Sequence, residues 1–195
     1  NVQDITYFSG DLPNNEFTGE LPAKLIPYQN KGLTDRELMG LAVFNGQGKC
    51  SLCHVLTPSG TSENPKPPLF TDFSYDNLGI PKNPLNPFYS ELKKNKSLRE
   101  TWVDLGLGAF LTKTTDYAHL AEENYGKHKV PTLRNVDKRP YPDFVKAYGH
   151  NGYFKSLQHI MHFYNTRDIP SQGWPPPGMG MGDTMPWPPP EVAMN

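Results

Sequence analysis

Residues 46–55 read GQGKCSLCHV and hold both cysteines of the 195-residue chain, Cys50 and Cys53, with His54 directly after the second. A Cys50–Cys53 disulfide would close so short a loop that it removes little entropy from the unfolded chain. A thioredoxin-type redox pair needs a strand before it and a helix after it, and here the preceding stretch has a helical pattern. Zinc needs further ligands, usually a second Cys/His pair. The sequence offers only His159 and His162 as a close pair among His119, His128, His150, His159 and His162.

Covalent haem is the reading that uses all three groups. Thiols at this spacing suit two vinyl groups on one porphyrin edge, and the next residue presents its imidazole as the proximal iron ligand. The motif therefore predicts one covalent haem c held by Cys50, Cys53 and His54. The upstream stretch LTDRELMGLAVFN (33–45) predicts a helix. Thr34 is a good N-cap, and Glu37 completes a capping box. Leu38, Leu41 and Ala42 share one face. Asn45, Gly46 and Gly48 then break the helix before Cys50. A helix leading into such a motif is the usual entry to a cytochrome c fold.

Composition narrows the class. The 19 basic and 20 acidic residues nearly balance, which argues against a nucleic-acid or polybasic membrane partner. No apolar run approaches the ~18 residues of a membrane span. No basic start with an apolar run follows, so an export signal is expected to have been removed already. The 21 prolines are about twice the average usage of ~5%. Each fixes φ and removes a donor, so a mainly α domain of short helices and long, ordered, proline-rich loops is expected. Haem would supply apolar contacts that so small a core lacks.

Residues 1–33 read as an extended arm and 34–195 as a single c-type cytochrome domain. The loop 57–87 is long, and Phe70, Phe73, Tyr75 and Leu78 argue that it is ordered. Short helices are expected over 88–103, 116–125 and 141–148. KVPTLRNV (129–136) reads as extended, because a residue before proline is pushed out of the helical region. KSLQHIMHFYNTRD (155–168) predicts the most regular helix. Ser156 is its N-cap, and Leu157, Ile160, Met161 and Tyr164 form one apolar face, with His159, His162 and Phe163 pointing elsewhere. The tail GWPPPGMGMGDTMPWPPPEVAMN cannot be helical for long. Arg134 reads equally well as a surface ion-pair partner or as a guanidinium on a haem propionate.

GLAVFNGQGKCSLCH, PPLFTDFSYDNLGIP, VDLGLGAFL, HKVPTLRNVDKRP and YGHNGYFKSLQHIMHFYNTRD, in this order, together resemble the C-terminal haem domain of bacterial di-haem cytochrome c peroxidases and MauG-like proteins, over about residues 33–192. Such proteins carry two CxxCH motifs, one per domain, whereas this sequence has one. The resemblance implies that this domain passes electrons while the other meets peroxide. It also implies that the helix from Ser156 carries the distal iron ligand, at the position of Tyr164. A second candidate is Met185, because GDTMPWPPP resembles the methionine loop of small class I cytochromes. A histidine is the remaining option.

Two functions are therefore expected. One is a periplasmic or otherwise exported monohaem c-type cytochrome that carries single electrons to a redox partner protein. The alternative is a peroxidase-like or MauG-like haem enzyme, or a subunit of one.

Overall fold

The structure, a computed structural model, describes residues 20–90, 102–144, 146–169 and 186–194. Helix α1 (Asp35–Asn45) begins where the capping box predicts. The Thr34 hydroxyl accepts from the Glu37 N–H at 3.3 Å, and the Glu37 carboxylate accepts from the Thr34 N–H at 2.8 Å. Those bonds from Thr34 hold the Glu37 carboxyl below its usual range. Leu38, Met39 and Ala42 turn inward and pack with Leu25. Leu25 comes from a 3-10 helix, Ala23–Tyr28, within the stretch expected to be an extended arm. Residues 1–19 of that stretch lie outside the described residues.

Beyond α1 the backbone tightens. A Cβ on Gly48 would meet the Val43 carbonyl at 2.8 Å, so no side chain fits there. Lys49 takes a left-handed φ of 54° and leads into a 3-10 turn, Cys50–Leu52. A short antiparallel hairpin follows, β1 (Ser59–Gly60) with β2 (Pro65–Lys66), Ser59 opposite Lys66. The described residues up to Ser74 form a compact unit with Val130–Val136.

A second compact unit takes the described residues of 75–129 and those from Asp137 onward. In it β3 (Tyr75–Asp76) pairs antiparallel with β4 (His128–Lys129). Helix α2 (Gly106–Leu111) precedes two 3-10 turns, Ala118–Leu120 and Glu122–Asn124. Helix α3 (Leu157–Thr166) starts from Ser156, whose side chain accepts from the His159 N–H at 3.1 Å. The core gathers on Phe154 and Phe163, which are 0% and 1% exposed.

Three expectations change. Residues 141–148 form no helix where described; instead Tyr148 and Phe154 exchange backbone hydrogen bonds of 2.8 and 3.3 Å. Pro140 and Pro142, which lack N–H donors, stand where that helix would start. Of the helix expected over 88–103, the structure shows a 3-10 turn at Pro87–Ser90 and no helix at 102–103; residues 91–101 lie outside the described set. The packed face of α3 also differs. His159, Phe163 and Thr166 are buried, whereas Met161 and Tyr164 are 45% and 48% exposed. Residues at i, i+4 and i+7 make a second apolar face once His159 is counted as an aromatic ring. Among the described residues, no helix is long and apolar enough to cross a membrane.

Candidate functional site

In the first unit the CxxCH turn is held by its own backbone. The Cys53 and His54 N–H groups both donate to the Cys50 carbonyl, at 3.4 and 2.9 Å. Neither cysteine forms a disulfide, and both are half-buried. Burial pushes the Cys50 thiol above its usual range. His54 Nδ1 lies 2.8 Å from the Phe70 carbonyl. A carbonyl can only accept, so Nδ1 carries the proton and Nε2 keeps its lone pair. That is the tautomer a metal-binding imidazole needs. Two thiols and a correctly set imidazole on one turn fit a covalently attached haem.

The Phe70 carbonyl is aimed by an uncommon backbone. Phe70 has φ +57° and Phe73 has φ +65°, a region bulky residues seldom occupy. The Phe70 ring meets Phe44 of α1 edge-on, with centroids 6.1 Å apart. Asp72 N–H donates to the Cys53 carbonyl at 2.9 Å, so loop 68–74 touches the motif at two successive residues. Hydrogen bonds from Ser74 hold the Asp72 carboxyl below its usual range. Arg134 is exposed, and its Nη1 donates to the Pro68 carbonyl at 3.2 Å.

In the second unit α3 packs on Trp187. The His159 and Trp187 rings stack with centroids 5.6 Å apart. Burial, with a smaller effect from His162, lowers the His159 pKa to about 4, so the ring is neutral. Trp187 Nε1 donates to Thr166 Oγ1 at 2.9 Å. Tyr164 lies on the exposed side of the same helix, its ring centroid 6.2 Å from that of Phe163. Met185, the other proposed ligand, falls outside the described residues, as do Trp174, Met179 and Met181.

Sequence reading missed one buried centre in this unit. The Glu191 side chain is 1% exposed. It accepts from the Tyr89 hydroxyl at 3.2 Å, the Asp104 N–H at 3.3 Å and Asn151 Nδ2 at 2.7 Å. His150 Nε2 lies 3.0 Å from its carboxylate. The His150 ring stacks on His128, with centroids 3.7 Å apart. Burial, and then the charge on Glu191, raise the Tyr89 pKa to about 12. Burial and His150 lower that of His128. His150, held in this way, is a structural partner of Glu191. Among the described residues, no group of three or more His, Cys, Asp or Glu is placed to hold a metal ion.

Comparison with known proteins gives a consistent answer. The methylamine utilization protein MauG of Paracoccus denitrificans is 32% identical over 168 residues, covering 83% of this chain and 35% of MauG. Cytochrome-c peroxidase IdrP2 of Denitromonas iodatirespirans is 27% identical over 150 residues, covering 73% of this chain and 35% of the peroxidase. Among solved structures, the diheme peroxidase BthA of Burkholderia thailandensis matches with a TM-score of 0.50 and 33% identity, over 69% of this chain and 29% of that one. A tyrosine-to-methionine variant of BthA matches with a TM-score of 0.54 and 28% identity, over 83% of this chain and 39% of that one. No protein-family model matches. The chain spans about a third of the length of the curated relatives it matches. These neighbours fit a cytochrome c-like haem domain, and they favour a peroxidase-like haem protein over a free-standing carrier.

Proposed function

As the chain belongs to the di-haem cytochrome c peroxidase and MauG family, in keeping with its C-terminal haem domain, we propose that it is a haem c module of a peroxidase-like or MauG-like protein, or a subunit of one. The observation that carries this reading is His54, with its tautomer set by the Phe70 carbonyl on the turn that bears Cys50 and Cys53. Cys50 and Cys53 would hold haem c through thioether bonds, and His54 Nε2 would ligate its iron. Tyr164, with Met185 as the competing residue, is the candidate for a second iron ligand. The bound haem supplies reversible one-electron exchange between ferric and ferrous iron. The protein's own part is to fix the ligands and exclude side reactions.

Within the larger protein this module passes electrons, and a separate haem domain meets peroxide. The protein is exported, since haem is joined to CxxCH motifs outside the cytoplasm, and it works with a redox partner protein. A free-standing carrier of single electrons is the second reading. Intact mass and peroxide kinetics test both. The chain should carry one haem that survives acid–acetone extraction. Its ferrous form should be oxidised by hydrogen peroxide slowly alone, well below the ~10 s⁻¹ typical of enzymes, and rapidly once a second haem domain of the family is added. Haem released into the organic layer refutes the attachment. No acceleration by a second haem domain favours the free-standing carrier.

A further inference from the structure

Segment 130–134 is stitched to the loop that carries the Phe70 carbonyl. Thr71 Oγ1 donates to the Val130 carbonyl at 2.6 Å, and Val130 N–H donates to the Ser74 carbonyl at 2.8 Å. Thr132 Oγ1 donates to the Leu69 carbonyl, and Arg134 Nη1 to the Pro68 carbonyl at 3.2 Å. Thr132 and Arg134 thus hold the two peptide groups that lead into Phe70. Phe70 then adopts its left-handed φ of +57°, a backbone state that persists only where its surroundings determine it. Thr71 and Val130 hold the peptides that follow.

We propose that Thr132 and Arg134 are positioning residues for His54. By anchoring the Leu69 and Pro68 carbonyls they keep the Phe70 carbonyl within hydrogen-bonding distance of Nδ1, and so set how strongly Nε2 donates to iron. This rests on the reading of His54 as proximal ligand. A short N–H···O=C bond makes the ring more electron-rich and favours ferric iron. A slack bond favours ferrous iron. Arg134 therefore acts through a backbone carbonyl and not through a propionate.

The two roles of Arg134 have opposite signs. Loss of a cation beside the haem lowers the reduction potential, because the ferric form carries more positive charge. Loss of the anchor raises it.

The test is the midpoint potential of the full haem-loaded chain. Thr132→Val removes the hydroxyl at nearly constant shape, and Thr132→Ser retains it. Thr132→Val should shift the ferric–ferrous equilibrium three- to tenfold toward ferrous iron, a tenfold change being about 59 mV for one electron. Thr132→Ser should restore the wild-type potential, and Arg134→Met should shift it upward. A lowered melting temperature with an unmoved potential in Thr132→Val overturns the proposal. A downward shift in Arg134→Met overturns it for Arg134. If Thr132→Val fails to fold, the upward shift expected of Arg134→Met gives the same readout, and an unmoved potential there overturns the proposal. A wild-type chain without covalent haem overturns the haem reading and this proposal together, whereas covalent haem with unmoved potentials overturns this proposal alone.

Discussion

Tyr164 and Met185 carry opposite spectroscopic expectations. If the phenolate is the distal ligand, Tyr164→Phe removes a phenolate-to-iron charge-transfer band from the ferric spectrum and raises the potential, while Met185→Ala leaves the spectrum nearly unchanged. If the thioether is the ligand, the weak sulfur-to-iron band disappears in Met185→Ala, and Tyr164→Phe loses about one hydrogen bond, ~1 kcal/mol. An unchanged spectrum in both variants excludes both residues. The side chains proposed to hold haem are legible in sequence because their chemistry is confined to a short spacing: Cys50, Cys53 and His54 stand together. The acceptor for His54 is not legible, since a backbone carbonyl has no residue signature and Phe70 looks like any loop aromatic. Glu191 was hidden for another reason. Its partners Tyr89, Asp104, His150 and Asn151 lie 102, 87, 41 and 40 residues away, and no local pattern links them.

Helices α1 and α3 were readable because each begins at a capping side chain, Thr34 or Ser156, and continues with apolar periodicity. Helix α2 was not, because Gly106 and Gly108 read as breakers. The packing explains the second of them: a Cβ on Gly108 would lie 2.3 Å from Tyr125 Cδ1 and 2.7 Å from the Ala121 carbonyl. Helix α3 also shows where a polar label misleads. His159 is 7% exposed and serves as a neutral aromatic against Trp187 and Phe154. Its folded pKa of about 4 lies below the usual ~6.5, so the unfolded chain takes up the proton first as pH falls. The contribution is full above ~6.5 and is lost as pH drops toward ~4, on the order of 2 to 3 kcal/mol. Denaturant unfolding at pH 7 and pH 4.5 should therefore show a steep loss in the wild type and a shallower one in His159→Phe. His128, also lowered by burial, leaves a remainder of the same sign. Equal losses in the two proteins would assign the acid sensitivity to other groups.

Across the whole molecule the two units interleave along the chain. The first is interrupted after Ser74, resumes for Val130–Val136, and is left again. Hydrophobic periodicity gives no sign of such a return, because the returning stretch contributes hydrogen bonds more than apolar faces. It was recognisable only as an extended X-Pro segment. This arrangement has a temporal side. The anchors of the Phe70 loop lie 59, 63 and 66 residues after their partners. A ribosome adding ~5–20 residues per second reaches Thr132 roughly 3 to 13 s after Leu69. For that interval an emerging chain presents both thiols on a turn whose supporting loop is not yet fastened. Chains arrested just before residue 130 should thus have Cys50 and Cys53 alkylated faster than chains arrested well beyond residue 136. Identical rates would mean that the turn sets before its fastening is made. If the chain is threaded across a membrane in the same N-to-C order, the thiols reach any haem-attaching machinery on the far side before their fastening does, and late fastening closes the turn behind them.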